Sequence, residues 1–336
     1  MSFVTIKDIA KEIGVSPSTV SRALRNDSNI KEETKLKIQA LAKELGYEPN
    51  YIAVSLKQKQ SKTIGIIVPE MITTFFITII DAIQEKLSDS GYKIIITQSR
   101  ENADIELNNL RLLETYRVDG IIMSICDLNK NAEEYLRLIN KGIQMVFFDR
   151  LPSIDAPKIG INDYTKAFFL VQHLILQGRK RIVHLAGPDY LQNAIDRKKG
   201  YIDALKKYKI AIDQDLIISA GINYADGEES VKRLIEKDKK EFDAIFCFTD
   251  ILAIGAKQYL QKKGYKIPET IALAGFSGSF LSSLIHPQLT TVEQPLVLMG
   301  HNCADLMLEK IKSPTLPNKT IILDAEIKYR GSTDFV

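Results

Sequence analysis

Residues 4–24 read VTIKDIAKEIGVSPSTVSRAL, and this stretch carries the start and stop signals of two short helices. Thr5, followed three residues later by Asp8, resembles a capping box with Asp in place of the usual Glu. Apolar residues then recur at the spacing of one helix face until Gly14, a typical residue to end a helix. The first half of the stretch therefore predicts a short amphipathic helix.

The second half of the stretch predicts another helix, in spite of its proline. Ser16 is a good N-cap, and Pro17 follows at the first helical position, where its missing N–H costs nothing. Two short helices joined by about three residues that include a glycine are typical of a helix-turn-helix. The outward face would present Ser18, Ser21 and Arg22, and such residues suit a DNA groove because hydroxyl groups bond phosphates or bases and Arg can bind guanine. An ordinary surface face on a small helical bundle is the alternative.

A third helix is predicted within ETKLKIQALAKELG (33–46), which makes the N-terminal region a small all-α domain. Its pattern places four apolar residues on an inward face, namely Leu36, Leu41, Ala42 and Leu45.

The excess of positive charge lies at the N-terminal end of the chain. The 336 residues have a formal net charge of +3, but residues 1–62 carry 11 Lys and Arg against 7 Asp and Glu. The remainder carries 34 basic and 35 acidic residues. This asymmetry favours a nucleic-acid partner for the N-terminal end, although charge alone also fits a solvated surface.

The segment EPNYIAVSLKQKQSK (48–62) begins with residues that could form one or two helical turns and then becomes polar, basic and linker-like. Leu56, next to Lys57, is a candidate for an apolar wedge that enters a DNA minor groove. A leucine packed under a linker is the alternative.

From residue 62 onward, short apolar runs alternate with helical stretches, which predicts parallel α/β sheets. The pattern occurs twice. Four runs of the first half are echoed in the second: 62–70 by 180–189, 92–99 by 215–221, 118–125 by 242–250, and 143–150 by 270–278. Two similar doubly wound lobes are therefore expected, with a cleft between them.

Ligands of open α/β sheets bind beyond the carboxyl ends of the strands, so the residues at those ends are candidates for a site. They include aromatic, acidic, basic and hydroxyl side chains, among them residues 73–76, Asp149, Arg150, Asp250 and Ser277. This mixture suits a small polyol, because aromatic rings stack on sugar C–H faces while charged groups bond hydroxyls. Turn and cap residues would be the structural alternative, and it is the favoured one for residues 187–188.

Several classes of protein are excluded by the sequence. No apolar run approaches the roughly 20 residues that span a bilayer, and the N-terminus lacks the pattern of a secretory signal. No nucleotide-binding, nucleophile-elbow or zinc-protease motif is present, so neither an enzyme nor a cofactor is expected. The cysteines and histidines have no metal-ligand spacing, so no metal site is expected either: Cys126, Cys247, Cys303, His173, His184, His286 and His301. These features predict a cytoplasmic protein.

The chain resembles the LacI/GalR family of bacterial transcriptional repressors. The likeness begins with VTIKDIAKEIGVSPSTVSRAL and continues through KEETKLKIQALAKELGYEPNYIAVSLKQKQSKTIGIIVP, GIQMVFFDR, HLILQGRKRIVHLAGP, NAIDRKKGYIDAL, DAIFCFTDILAIGA and PQLTTVEQP to YRGST. The resemblance implies a helix-turn-helix headpiece (1–48), a hinge helix and linker (49–61), and a periplasmic-binding-protein-like type I core (62–336). The first lobe would comprise about 62–160 and 291–323, and the second about 161–290 and 324–336.

The same resemblance implies a homodimeric repressor of carbohydrate-utilisation genes. It would read a pseudo-palindromic operator in double-stranded DNA, under control of a sugar or sugar acid bound between the lobes. By matching position, the DNA contacts would be Thr5, Ser16, Pro17, Ser18, Thr19, Ser21, Arg22, Asn29, Thr34, Asn50, Leu56 and Lys57. The effector contacts would be Phe75, Phe76, Asp149, Arg150, Arg197, Asp250 and Ser277.

Two departures from the family pattern bear on function. Ser277 stands where many members have an Asp, and Lys31 stands where a Ser commonly caps the third helix. The chain also stops soon after YRGST, without the heptad tail that makes some members tetramers. A sugar receptor without regulatory function is the rival hypothesis, but it predicts an export signal and no headpiece.

Overall fold

The computed structural model describes residues 4–47 and 60–334. Contacts along the chain divide it into two compact units, Met1–Ser61 and Lys62–Val336.

The N-terminal unit contains three helices, α1 (Ile6–Ile13), α2 (Pro17–Ala23) and α3 (Glu32–Glu44). They surround a small core of buried side chains: Ile9, Ala10, Val20, Ala23, Ile38 and Ala42. Helices α1 and α2 are joined by a turn, and the predicted helix-turn-helix is confirmed.

The local start and stop signals act as predicted. The backbone N–H and the hydroxyl of Thr5 both donate to Asp8 Oδ2, at 2.8 and 2.7 Å. Gly14 ends α1 with a φ of 76°, a conformation that costs glycine little because it has no Cβ. Ser16 Oγ accepts from the backbone N–H of Thr19 at 3.1 Å and caps α2.

The predicted inward face of α3 is partly wrong. Leu36 is 59% exposed and Leu45 is 38% exposed, whereas Ile38 is fully buried. Residues four apart share a face of a helix, and the buried positions Ile38 and Ala42 follow that spacing. Leu36 precedes Ile38 by two residues and therefore lies on the opposite side.

The first lobe of the core has a six-stranded parallel sheet covered by helices. Its elements are β1 (Thr63–Val68), α4 (Thr74–Asp89), β2 (Lys93–Gln98), α5 (Ala103–Thr115), β3 (Gly120–Met123), α6 (Ala132–Asn140), β4 (Gln144–Phe148), β5 (Lys158–Ile161), and the later α12 (Leu296–Lys312) and β11 (Thr320–Leu323). The strand order is β11-β5-β4-β3-β1-β2. The central strands are buried on both faces, which explains their continuous apolar runs.

The second lobe has a four-stranded parallel sheet. Its elements are α7 (Asp163–Leu176), β6 (Ile182–Ala186), α8 (Gln192–Lys207), β7 (Ile217–Ser219), α9 (Tyr224–Lys232), β8 (Ala244–Cys247), α10 (Asp250–Lys262), β9 (Ala272–Ala274), α11 (Phe280–Leu284), β10 (Thr291–Glu293) and β12 (Glu326–Lys328). The strand order is β7-β6-β8-β9, and β10 pairs antiparallel with β12.

The repeat predicted from the sequence is present in the topology. In the first lobe β1 lies between β2 and β3, with β4 beyond; in the second β6 lies between β7 and β8, with β9 beyond. The chain passes between the lobes three times, after β5, after β10 and after β11. This arrangement brings the carboxyl ends of both sheets to a common cleft.

Cys126, Cys247 and Cys303 are buried, and burial raises the pKa of each thiol, that of Cys126 to about 12. Among residues 4–47 and 60–334, no helix is long and apolar enough to cross a membrane.

Candidate functional site

The N-terminal unit presents most of the predicted DNA contacts on its surface. Exposed are Thr5, Ser16, Pro17, Ser18, Arg22 and Asn29, while Thr19, Ser21 and Thr34 are half-buried. Asn50, Leu56 and Lys57 lie outside the described residues.

Several hydroxyl groups on this face already have partners inside the unit. Ser16 Oγ lies 2.7 Å from Ser18 Oγ and 2.9 Å from Thr19 Oγ1. Arg25 donates to the carbonyl and the hydroxyl of Ser21, both at 3.0 Å. Sequence reasoning missed Arg25, which lies in the turn just after the end of α2.

Arg22 differs from Arg25 in its surroundings. Its side chain is exposed, and within the described part of the chain it makes no hydrogen bond or ion pair. Its guanidinium group is therefore available to a partner outside the unit, whereas that of Arg25 orders Ser21.

A cleft of about 590 Å³ lies between the two lobes of the core. All seven effector contacts predicted from the sequence line it: Phe75, Phe76, Asp149, Arg150, Arg197, Asp250 and Ser277. The first four belong to the first lobe and the last three to the second, so the structure brings the two sets of strand ends together.

Asp149 and Arg150 follow β4 directly and are both largely buried. Asp149 has a φ of 57°, an uncommon left-handed conformation for a residue with a side chain. Burial raises the pKa of its carboxyl group to about 6, and the nearby Arg150 and Arg197 offset only part of this rise. Arg150 binds both oxygens of Glu101, at 2.6 and 3.0 Å, and its Nε lies 4.0 Å from Asp149 Oδ2. The two neighbours therefore do not form an exposed ion pair across a turn.

Arg197 projects from α8 into the cleft wall and is held on several sides. Its Nε and Nη2 lie 2.8 and 2.7 Å from Asp163 Oδ1, and Nη1 donates to the Phe248 carbonyl at 2.6 Å. The guanidinium carbon lies 3.7 Å from the ring centroid of Phe276. Since the side chain is only 3% exposed, its orientation is fixed before any ligand arrives.

Asp250 opens α10 and is fully buried. Its oxygens accept from Thr291 Oγ1 at 2.5 Å and from the Ser279 N–H at 2.7 Å. Burial raises the pKa of this carboxyl group to about 6 despite those bonds.

Ser277 has a φ of 137°, a strongly disfavoured conformation for a residue with a Cβ. Its hydroxyl donates to the carbonyl of Phe276. Ser277 therefore reaches the cleft through a strained turn.

Two phenylalanines of α4 form an apolar wall. The rings of Phe75 and Phe76 meet edge to face at 5.0 Å, and Phe76 packs in the same way on Phe148 at 6.1 Å. Such a wall suits the apolar face of a sugar ring.

Sequence reasoning missed other polar residues of the cleft. Asn193 and Gln294 are each 5% exposed, and their side-chain oxygens have no hydrogen-bond partner within the described residues. Glu101 and Glu70 also line the cleft. No local pattern identifies these four: Asn193 lies in the first turn of α8, and Gln294 lies where the chain crosses between the lobes.

Two family models match the chain and together span most of it. The model described as bacterial regulatory proteins, lacI family, matches residues 5–50. The model described as periplasmic binding proteins and sugar binding domain of LacI family matches residues 61–332.

Individual proteins match over nearly the whole length. The HTH-type transcriptional repressor CytR of Escherichia coli (strain K12) is 30% identical over 331 residues, which cover 98% of this chain and 96% of that protein. The solved structure of the lac repressor dimer bound to operator and the anti-inducer ONPF has a TM-score of 0.85 at 23% identity, covering 99% of each chain. A LacI family transcriptional regulator from Enterococcus faecium with bound ribose has a TM-score of 0.73 at 26% identity, covering 81% of this chain and 98% of that one.

Proposed function

The chain belongs to the LacI family of bacterial regulatory proteins, and from this membership we propose that it is a repressor whose operator affinity is controlled by a sugar-like effector in the core cleft. It is a DNA-binding transcriptional regulator and not an enzyme, like the relatives that it matches.

The headpiece, which we assign to residues 1–48, would read the operator through the outward face of α2. Arg22 is the residue best suited to a base edge, because its guanidinium group is exposed and makes no hydrogen bond or ion pair with the described residues. The other contacts would come from Thr5, Ser16, Pro17, Ser18, Thr19, Ser21, Asn29 and Thr34. With Ser16 and Ser21 engaged in caps and internal bonds, these residues would chiefly position the helix on phosphates.

Residues 49–61 would connect the headpiece to the core as a hinge helix and linker. We assign Asn50 and Lys57 to DNA contacts and Leu56 to a minor-groove wedge. The related lac repressor binds its operator as a dimer. By analogy this chain would form a homodimer whose two headpieces read a pseudo-palindromic operator.

The core, residues 62–336, would bind the effector and form the dimer. A polyol could bond to Asp149 and Arg150 of one lobe and to Arg197, Asp250 and Ser277 of the other, with Phe75 or Phe76 against its apolar face. Ribose is bound by the related Enterococcus faecium regulator. We therefore assign this chain to the control of carbohydrate-utilisation genes, in the cytoplasm, where the bacterial chromosome lies.

One observation carries the proposal: polar residues from both core lobes converge on one cleft, in a chain that also bears a helix-turn-helix. A ligand that contacts both lobes binds the closed arrangement better than the open one, and that difference is what can change the protein's affinity for DNA.

The experiment that tests the DNA assignment compares Arg22→Ala with the wild type on an operator selected from genomic fragments. The variant should lose about 1–3 kcal/mol of binding free energy on the operator and much less on unrelated DNA, since only the operator offers the matching base. Fluorescence anisotropy at one fixed salt concentration measures both.

Lys43→Ala is the matched control, because it removes one exposed positive charge near the end of α3. It should change operator and unrelated DNA binding by equal factors. An equal loss on both DNAs in Arg22→Ala would instead make Arg22 a phosphate contact.

A further inference from the structure

Acidic residues outnumber basic residues in the lining of the cleft. Four acids and two arginines are found among its described lining residues: Glu70, Glu101, Asp149, Asp250, Arg150 and Arg197. The lining as a whole therefore has an excess of negative charge.

Neither arginine offers an uncompensated positive charge. Arg150 makes a two-pronged ion pair with Glu101, at 2.6 and 3.0 Å. Arg197 is paired at 2.7 Å with Asp163, which is largely buried and is not among the residues that line the cleft. An anion that entered the cleft would have to compete with carboxylates already in place for these two cations.

The negative charge is not compensated in the same way. Among the described residues, Asp250 accepts hydrogen bonds from uncharged donors such as Thr291 and Ser279, and the positive charge of Arg330 offsets only part of the effect of burial. Asp149 accepts no hydrogen bond from the described residues, and its closest cationic atom, Arg150 Nε, is at the outer limit of an ion pair at 4.0 Å. Burial raises the pKa of both acids to about 6, so at pH 7.5 both are mainly ionised.

Two oxygen acceptors in the wall of the cleft also have no partner among the described residues. The side-chain oxygens of Asn193 and Gln294 are buried without a hydrogen-bond partner in the described part of the chain. A buried acceptor that stays unpaired is costly, so the occupant of this cleft should supply donors. Hydroxyl and ammonium groups donate, whereas carboxylate and phosphate oxygens only accept.

We propose that the effector is an uncharged, hydroxyl-rich molecule, that the cleft tolerates an added ammonium group, and that it rejects sugar acids and sugar phosphates. This inference rests on the proposed function, since it concerns the same cleft, and it narrows the choice between sugar and sugar acid. Asp149 would be the main determinant, because among the four acids its carboxylate has the fewest partners within the described residues.

The test is a panel of charge-matched ligands on the full-length protein at pH 7.5. Neutral members are ribose, glucose, galactose and cytidine, the last because phenylalanines line the cleft and could stack on a base. Their anionic partners are ribose 5-phosphate, glucuronate, galacturonate and cytidine monophosphate; glucosamine and galactosamine carry the ammonium group. The shift of the thermal midpoint identifies binders, and isothermal titration calorimetry gives their Kd.

The expected result is that a neutral or ammonium member binds at least tenfold more tightly than its own acid or phosphate. Asp149→Asn removes the charge but keeps the shape and an acceptor oxygen, so it should reduce this ratio at least threefold. Glu133→Gln is the control, because it removes an exposed acid of the first lobe that does not line the cleft. It should leave the ratio unchanged.

Other outcomes distinguish a failure of the proposed charge preference from a failure of the effector cleft itself. An anion that binds as tightly as its neutral parent overturns the charge preference, while the effector cleft itself stands. An unchanged ratio in Asp149→Asn overturns the role given to that residue. If no member of any charge class binds or alters operator affinity, the effector cleft fails and the inference falls with it.

Discussion

Ionised Asp149 lowers the stability of the ligand-free protein, and its surroundings explain why. Its carboxyl group is largely buried, lacks a hydrogen-bond donor among the described residues, and lies on a residue with a φ of 57°. Burial raises its pKa from 3.8 to about 6, which means that the folded state binds its proton more tightly than the unfolded chain does. Ionised Asp149 therefore destabilises the fold until a ligand supplies donors.

Asp149→Asn should accordingly stabilise the protein without ligand. A rise of about two pKa units corresponds to about 3 kcal/mol at most, so we expect a gain of about 1–3 kcal/mol at pH 7.5. Between about pH 4 and 6 the folded protein keeps the Asp149 proton that the unfolded chain has already released. The free energy of unfolding of the wild type therefore falls as the pH rises through that range. Urea unfolding at pH 4, 5, 6 and 7.5 measures the difference between the two proteins.

The gain should be absent near pH 4, develop up to about pH 6 and stay constant above that value. Asp155→Asn serves as the control, because it removes an exposed acid a few residues away that does not line the cleft. A variant that is less stable than the wild type at pH 7.5 would contradict this account of Asp149.

At the residue scale, the sequence predicted cleft residues at strand ends better than those that only the tertiary fold brings to the cleft. Asp149 and Asp250 were predictable because they follow apolar strands, and strand ends of parallel sheets meet at one edge. Glu101 could not be predicted as the partner of Arg150, since the two are 49 positions apart and only the fold brings them together. Gln294 was missed because only the fold brings the chain crossing after β10 to the cleft.

At the scale of elements, two helices of the second lobe touch through glycine. A Cβ built on Gly255 of α10 would lie 1.9 Å from the carbonyl oxygen of Tyr224, and one on Gly227 of α9 would lie 2.0 Å from that of Leu252. The backbones of α9 and α10 can approach this closely only because both positions lack a side chain. Tyr224 and Asp250, at the starts of the two helices, both line the cleft, so the contact also sets its shape.

Gly255→Ala should destabilise the core by about 1–3 kcal/mol, because the added methyl group meets backbone that cannot rotate away. This loss should exceed the gain of up to about 1 kcal/mol that alanine brings to a helix interior. Chemical unfolding measures the change. Lys262→Ala, at an exposed site of the same helix, should stay within about 0.5 kcal/mol of the wild type. Equal stabilities of Gly255→Ala and the wild type would show that the helices can separate at no cost.

Element boundaries were predictable where they depend on local chemistry. The caps at Thr5 and Ser16 and the stop at Gly14 involve groups within five residues of each other, so the sequence contains all that determines them. The buried face of α3 could not be predicted in this way, because the side that faces inward depends on where α1 and α2 lie. Leu36 was expected inside and is 59% exposed for that reason.

At the scale of the whole core, the two lobes are linked by more than the three chain crossings. The backbone N–H of Leu128, in the loop after β3, donates to the carbonyl of Tyr190, in the loop after β6, at 2.9 Å. This bond joins the first lobe to the second and can exist only while the lobes are together. The repeated pattern of the sequence predicted two lobes with a cleft between them, but no feature of either loop indicated a hydrogen bond between the loops.

The Leu128 amide should therefore report on lobe closure. A ligand that contacts both lobes must leave before they separate, so it should slow hydrogen exchange at this amide. At a ligand concentration of 100 times its Kd, the slowing should reach about 100-fold, which is the factor by which the ligand-free state is depopulated. Exchange resolved to single amides, with the tightest binder of the charge-matched panel, measures it on the full-length protein.

The Cys126 amide is the internal control for this measurement. It lies two residues away but donates to Glu106 Oε2 at 2.7 Å, within the first lobe, so lobe separation does not expose it. Its exchange should change much less than that of Leu128. A ligand that binds in the cleft yet slows neither amide, or slows both equally, would mean that it does not hold the lobes together. Control of the headpiece would then have to arise without closure of the core.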